Sequence, residues 1–244
     1  MRGIIMSPRP WIVLSNGPVQ RLEDNLLCVH GPTPQAVAGL ERTMTVMKRS
    51  DGRLVIHNAI ALDEAGMTMI EALGEPAFLI VPNAFHRMDA HPYKVRYPAL
   101  RVLCPRPAVK AVRKVVEVDG ELTDLPPDPA VQVEVLEGFR LGEGVFTVRS
   151  GPERERATLV FNDILLNLDR MPGVAGFLFR LVGGRLGAPG LHPIQKRLSD
   201  RRRLREHLRR FAEVPGLCRI IPGHGAVIEG GAAELLRELA RDGE

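Results

Sequence analysis

The sequence predicts an α/β (α+β) chain in which two β-sheets pack face to face with helices on the outside. Three observations lead there. Short runs rich in Val, Ile, Thr and Leu crowd the first quarter, at residues 11–14, 25–29, 43–47 and 54–57, separated by the turn pairs Asn16-Gly17, Gly31-Pro32 and Asp51-Gly52. These predict a meander or hairpins. The pattern then alternates: a helix over 63–73, an apolar strand at 77–81, a short helix around Tyr93, a strand at 101–104 and a helix across 108–115. Extended segments return at 131–136, 145–148 and 157–161, followed by helical stretches, a last strand at 218–221 and a C-terminal helix over 232–241. A strand-rich stretch, an alternating stretch and a second round of both require two sheets, each burying one face on the other and its second face under helices.

Length and composition agree with one domain over residues 1–244. At 45% apolar residues the chain can bury a substantial core. Pro126-Pro127-Asp128-Pro129 is the densest proline cluster, yet it is too short for a linker and reads as a turn between strands. The amino terminus, MRGIIMSPRPW, has two prolines and no apolar run of signal-peptide length, and no stretch reaches the roughly 18 apolar residues of a membrane span. The expectation is a cytoplasmic protein with no membrane partner. Cys28, Cys104 and Cys218 lie far apart without a CxxC pair, which predicts buried free thiols.

The net charge of +4 is local in origin. Residues 196–210 hold eight Lys/Arg against Asp200 and Glu206, a local +6, so the remainder carries −2. Leu204, Leu208 and Phe211 recur there at helical spacing, which predicts an amphipathic helix capped by Ser199 or Asp200, with Arg201, Arg202, Arg205 and Arg209 solvated. A nucleic-acid partner is disfavoured because no aromatic residues interleave with the arginines. Residues 172–190 combine six glycines with Phe177, Leu178, Phe179, Leu181, Val182 and Leu186. They read as core packing or as a pocket wall or lid, and Arg180 and Arg185 exclude a span.

The candidate chemistry sits at strand ends. In VPNAFHRMDAH, residues 81–91, His86, Asp89 and His91 follow an apolar strand; Asp163 follows another in ATLVFND, and His224 a third in RIIPGHG. Side chains remote in sequence converge at such ends. Imidazole nitrogen and carboxylate oxygen suit Zn²⁺ or Fe²⁺, and the glycines flanking His224 allow a sharp turn and close approach. The competing reading makes His86 and Asp89 a hydrogen-bonded pair that ties down the loop, and Asp163 a cap or turn residue. His30, His57, His192 and His207 read as ordinary surface or strand residues. GxSxG, GxGxxG and Walker sequences are absent, so neither a serine nucleophile nor a nucleotide cofactor site is indicated.

These landmarks resemble the metallo-β-lactamase-fold superfamily, and most closely a branch of it without assigned function. The early strands, the loop after Val81, Asp163 in LVFND and PGHG at 222–225 carry the resemblance over most of the chain. It implies a four-layer αββα sandwich. In the superfamily the landmarks carry an HxHxDH loop, an isolated histidine, a bridging aspartate and a final histidine. Here the loop departs from that pattern. In one register Ala84 replaces the first histidine, His86 matches the second, Met88 replaces the aspartate and Asp89 falls at the last histidine. In another, His86 is the first histidine and His91 the last, leaving Met88 and Ala90 at the other positions. No histidine lies between His91 and His192.

The resemblance therefore implies one Zn or Fe ion at most, held by His86, Asp89, Asp163 and His224 with His91 as substitute. The expected activity is hydrolysis of an ester, thioester, lactone or phosphoester through a metal-bound hydroxide, with Asp163 or Asp89 holding the nucleophile. The partner would be a small-molecule substrate or ligand, and self-association is left open. The alternative is a catalytically inactive descendant that uses the cleft for binding or serves a structural role.

Overall fold

The computed structural model describes residues 9–33, 40–171 and 173–241. Residues 1–8, on which the reading of the amino terminus rests, lie outside them.

The strand-rich start forms β1 (Gln20–Glu23), β2 (Leu26–Pro32), β3 (Glu41–Lys48) and β4 (Arg53–His57), an antiparallel meander. Residues 11–14 are not a strand. Trp11 instead anchors this stretch, stacking on Tyr93 with ring centroids 5.0 Å apart and donating Nε1–H to the Leu62 carbonyl at 2.8 Å. Asp63 caps α1 (Glu64–Leu73) by accepting from the Gly66 amide at 2.8 Å. The helix returns the chain so that β5 (Glu75–Ile80) runs parallel to β4, and α2 (Ala90–Arg96) does the same for β6 (Arg101–Cys104). A 3-10 turn over Arg106–Ala108, set by Pro105 and Pro107, shortens the expected third helix to α3 (Val109–Val112). The parallel strand β7 (Gly120–Glu121) completes a seven-stranded sheet in sequence order.

The second half gives β8 (Val131–Val135), β9 (Gly144–Ser150) and β10 (Arg156–Val160), all antiparallel. There follow β11 (Leu165–Asn167), α4 (Gly173–Leu181), β12 (Gly190–Leu191), α5 (Pro193–Leu198) and α6 (Arg201–Ala212). The chain ends with β13 (Leu217–Ile221), β14 (His224–Gly225), β15 (Ile228–Glu229) and α7 (Ala232–Arg241). The last strand expected, 218–221, is thus followed by two more. Each is two residues long, too short for alternation to show. The second sheet runs β15-β13-β10-β9-β8, with β13 parallel to β10, while β12-β11-β14 form a small third sheet.

Three apolar clusters explain the layering. One joins the sheets through Leu26, Cys28, Phe78, Ile80 and Leu103 from the first and Val131, Phe146, Val148, Val160 and Ile221 from the second. Another buries the outer face of the first sheet beneath α1, α2 and α3 through Met67, Ile70, Tyr93 and Val112. The third sets Leu204, Leu208 and Phe211 of α6 and Leu236 and Leu239 of α7 on the outer face of the second. The fold is therefore an αββα sandwich.

On α6, Asp200 is the cap, accepting from the Arg202 and Arg203 amides at 3.0 and 3.2 Å. Leu204, Leu208 and Phe211 are buried, Arg201, Arg202 and Arg209 exposed, and Arg205 half-buried. His207 departs from the expected ordinary surface role. It is buried, its Nδ1–H donates to Glu134 at 2.7 Å and its Nε2 accepts from the Glu137 amide at 3.1 Å. Cys28 and Cys104 are buried free thiols, while Cys218 is half-buried.

Candidate metal centre

Three strands place the centre. β10 and β13 are parallel neighbours, so Asp163, in the loop after β10, and His224, which opens β14 just after β13, emerge side by side. The loop after β5, carrying His86, arrives from the first sheet. The sheets are tied here by the Thr43 amide, which donates to the Gly223 carbonyl at 2.8 Å, and the Gly223 amide donates to the Asn162 carbonyl at 3.0 Å. A Cβ on Gly223 would lie 2.7 Å from that carbonyl. Gly225 has φ +92°, and a Cβ there would lie 1.9 Å from the Asn167 carbonyl. The glycines around His224 are thus demanded by close backbone approach.

His86, Asp163 and His224 converge. His86 Nε2 lies 3.0 Å from Asp163 Oδ1, His224 Nε2 lies 3.2 Å from the same oxygen, and the two Nε2 atoms are 3.3 Å apart. Their surroundings orient all three. Asn58, at φ +57° just after β4, donates Nδ2–H to the Thr43 carbonyl at 2.9 Å, which turns its Oδ1 towards His86 Nδ1 at 3.0 Å. His86 must therefore carry its proton on Nδ1. His224 Nδ1–H donates to the Glu41 carbonyl at 2.6 Å. Asn83 accepts the Phe85 and His86 amides at 2.8 and 3.3 Å and gives Nδ2–H to Asp163 Oδ2 at 2.6 Å. What remains pointing inward is two imidazole lone pairs and one carboxylate oxygen, with no donor among them.

When an imidazole takes up a second proton its Nε2–H donates to Asp163 Oδ1 instead, and the electrostatics describe that protonated form. Burial opposes ionisation of Asp163, but the neighbouring charge of His86 and the hydrogen bonds from His224 and His86 outweigh it and hold the carboxyl well below its ordinary range. Burial also opposes a charge on His224, yet Asp163 raises its pKa. His57, buried at the end of β4, is pushed down to about 3 by desolvation and the charge of His86, against the pull of Asp163. It stays neutral.

Glu143 holds the Asp163 loop from behind. It is buried, and its carboxylate accepts the Asn162, Asp163 and Ile164 amides at 2.8, 3.1 and 3.0 Å. Burial and the charge of Asp163 push its pKa up to about 8 against those three donors. Gln at this position would oppose an NH₂ group to backbone N–H. Glu143→Gln is expected to cost about 1–3 kcal/mol, read as a lower urea midpoint at unchanged slope; an unchanged midpoint would show that these contacts do not support the loop.

Asp89 and His91 do not join the cluster. Asp89 Oδ2 pairs with Arg42 Nη2, and Arg9 Nη1 is 3.7 Å from Asp89 Oδ1. Arg42 is almost fully buried and also donates Nη1–H to the Ala59 carbonyl at 3.0 Å. Asp89 is the residue before α2, and His91 is half-buried in that helix. Arg42 holds Asp89 and α2 takes up His91, so neither loop register set by the resemblance brings a second ligand from this segment. His86 and Asp89 are not the hydrogen-bonded pair of the competing reading either, since Asn58, Asp163 and Arg42 take their places. Sequence reasoning missed Asn58, Asn83, Glu143 and Arg42. Only Asn83, inside the quoted loop, stood near enough to a candidate ligand to be suspected.

The donor set fits a first-row ion. Ligands at about 2.0–2.2 Å in tetrahedral or octahedral arrangement lie roughly 3.0–3.5 Å apart, and the three inward atoms span 3.0–3.3 Å. Each histidine donates its other ring N–H to a carbonyl oxygen, the second-shell pattern of ligating imidazoles.

No family model matches the chain, and no curated protein matches it. Solved structures do. DIM-1 metallo-β-lactamase exposed to ceftazidime is 15% identical, aligning 96% of this chain with 100% of its own at a TM-score of 0.61. For TMB-1 the identity is 12%, the coverage 92% and 96%, and the TM-score 0.61. The metallo-β-lactamase FIM-1 from Pseudomonas aeruginosa, in its mono-zinc form, is 11% identical over 93% of this chain and 96% of its own, at a TM-score of 0.55. So low an identity over so much of each chain speaks for architecture, and with the layers described above it shows that this chain has the metallo-β-lactamase fold.

Proposed function

We propose that the protein is a hydrolase dependent on one metal ion, held by His86, Asp163 and His224, and that it cleaves an ester, thioester, lactone or phosphoester bond. The observation that carries this reading is the convergence of three inward lone pairs with every other polar atom of the three side chains already committed. A divalent cation suits such a centre, satisfying both imidazoles and the carboxylate at once. When bound, Zn²⁺ or Fe²⁺ supplies Lewis acidity and lowers the pKa of water towards 7.

The chain's own residues do the rest. Asn58 and the Glu41 carbonyl fix the tautomers of His86 and His224. Asn83 holds Asp163 Oδ2, so that Oδ1 stays turned inward as the third ligand atom. Phe85, exposed and adjacent to His86 in the chain, is available for apolar contact with a substrate. The test is elemental analysis of protein prepared without chelator, with melting followed as Zn²⁺, Fe²⁺ or Mn²⁺ is added. One equivalent of metal or a saturable rise in melting temperature is expected. Neither on any ion would remove the hydrolase reading and leave a binding role for the same cleft.

A further inference from the structure

Among the described residues, five exposed large apolar side chains cluster on two helices after β11. Val174 is 74% exposed, Phe177 67%, Leu178 51% and Leu181 69% on α4, and Ile194 is 53% exposed on α5. The four on α4 stand at i, i+3, i+4 and i+7 and so share one helix face. A helix of a globular domain turns that face inward. Here the inward side buries Gly176, and the apolar stripe faces solvent. A Cβ on Gly173 or Gly183, at the two ends of α4, would meet nothing within 4 Å. Both ends of the helix are open to solvent, while its inner side packs, with Phe179 against the His192 ring. Residues 170–199 contain Arg170, Arg180, Arg185, Lys196 and Arg197 and no Asp or Glu. Arg170, Arg180 and Arg197 are exposed, and Arg185 reaches Glu238 at 3.3 Å.

We propose that α4, with α5 following it in the chain, is an interfacial element that seats the protein on a membrane surface containing anionic lipid. Val174, Phe177, Leu178 and Leu181 enter the boundary between headgroups and acyl chains, and the flanking arginines pair with lipid phosphates and carboxylates. Charge selects this occupant over a second copy of the chain, because a two-fold pairing of this face would set two basic, acid-free segments against each other. Shape selects it over an acidic protein. An exposed convex helix face needs a complementary groove on a protein, whereas fluid lipid accommodates it without one. No described helix is long and apolar enough to cross a membrane, so the helix lies on the surface. The expectation of no membrane partner rested on the absence of a span and does not bear on such contact. The proposal is independent of the metal centre.

Co-flotation of the full chain with vesicles of phosphatidylcholine, with and without phosphatidylserine, tests it. The protein is expected to float with the phosphatidylserine vesicles, less so as salt is raised, and to remain behind with phosphatidylcholine alone. Replacing Phe177, Leu178 and Leu181 together by Ser should lower the partition at least about tenfold, and Arg170→Glu with Arg180→Glu should do the same. All five side chains are exposed, so an unchanged melting temperature will show that the variants fold. The proposal is overturned if the unaltered protein stays soluble with both vesicles at low salt, or if the triple Ser variant floats as well as the parent. It is equally overturned by a dimer that the triple variant converts to monomer, or by retention on polyglutamate without flotation.

Discussion

Arg42→Leu is expected to lower stability by about 3–5 kcal/mol, a large part of the 5–15 kcal/mol typical of a folded protein. Arg42 and Asp89 are both almost fully buried and face each other across the start of α2. Removing the guanidinium leaves a carboxylate that neither solvent nor another close partner can satisfy, since Arg9 approaches only to 3.7 Å. It also strips a donor from the Ala59 carbonyl. Urea unfolding followed by circular dichroism measures the loss. The double variant Arg42→Leu/Asp89→Leu should recover most of it, because replacing a buried pair costs far less than halving one. Were Arg42→Leu as stable as the parent, the ion pair would not be what holds Asp89 in place.

His224→Ala should abolish metal uptake. Three ligands are the fewest that hold a first-row ion against water, and this change leaves His86 and Asp163. In the unaltered protein, an ion at a hundred times its Kd adds about 2.7 kcal/mol to stability, and the variant should show none of that response. A purely structural histidine gives another result: stability falls by about 1–3 kcal/mol for the lost bond to the Glu41 carbonyl, while the rise in melting temperature on adding metal persists. Persistence of that rise would remove His224 from the ligand set.

Much of the fold was legible because its elements are periodic. Runs rich in Val, Ile, Thr and Leu with turn pairs located β2, β3 and β4, the helical pattern located α1, and α7 runs over 232–241 as expected. Short elements escaped. β14 and β15 have two residues each, and β1 exposes half its side chains, so none presents a buried pattern to find. The apolar run at 11–14 misled because Trp11 serves a packing contact with Tyr93, not a strand face.

For the candidate centre, the sequence by itself determined where chemistry could lie: His86, Asp163 and His224 each follow the end of an apolar strand, and the glycines flanking His224 mark a tight backbone approach. Those features are local. Their assembly was decided only by the tertiary structure, because strand order is set by burial across two sheets and not by any neighbour in the chain. The parallel pairing of β10 with β13 brings Asp163 to His224 across 61 positions, and stacking of the sheets adds His86 from 138 positions away. Strand order within the first sheet, β3-β4-β5, gave Asp89 to Arg42, 47 positions upstream, where two opposite charges sealed from water are more stable together than either is alone.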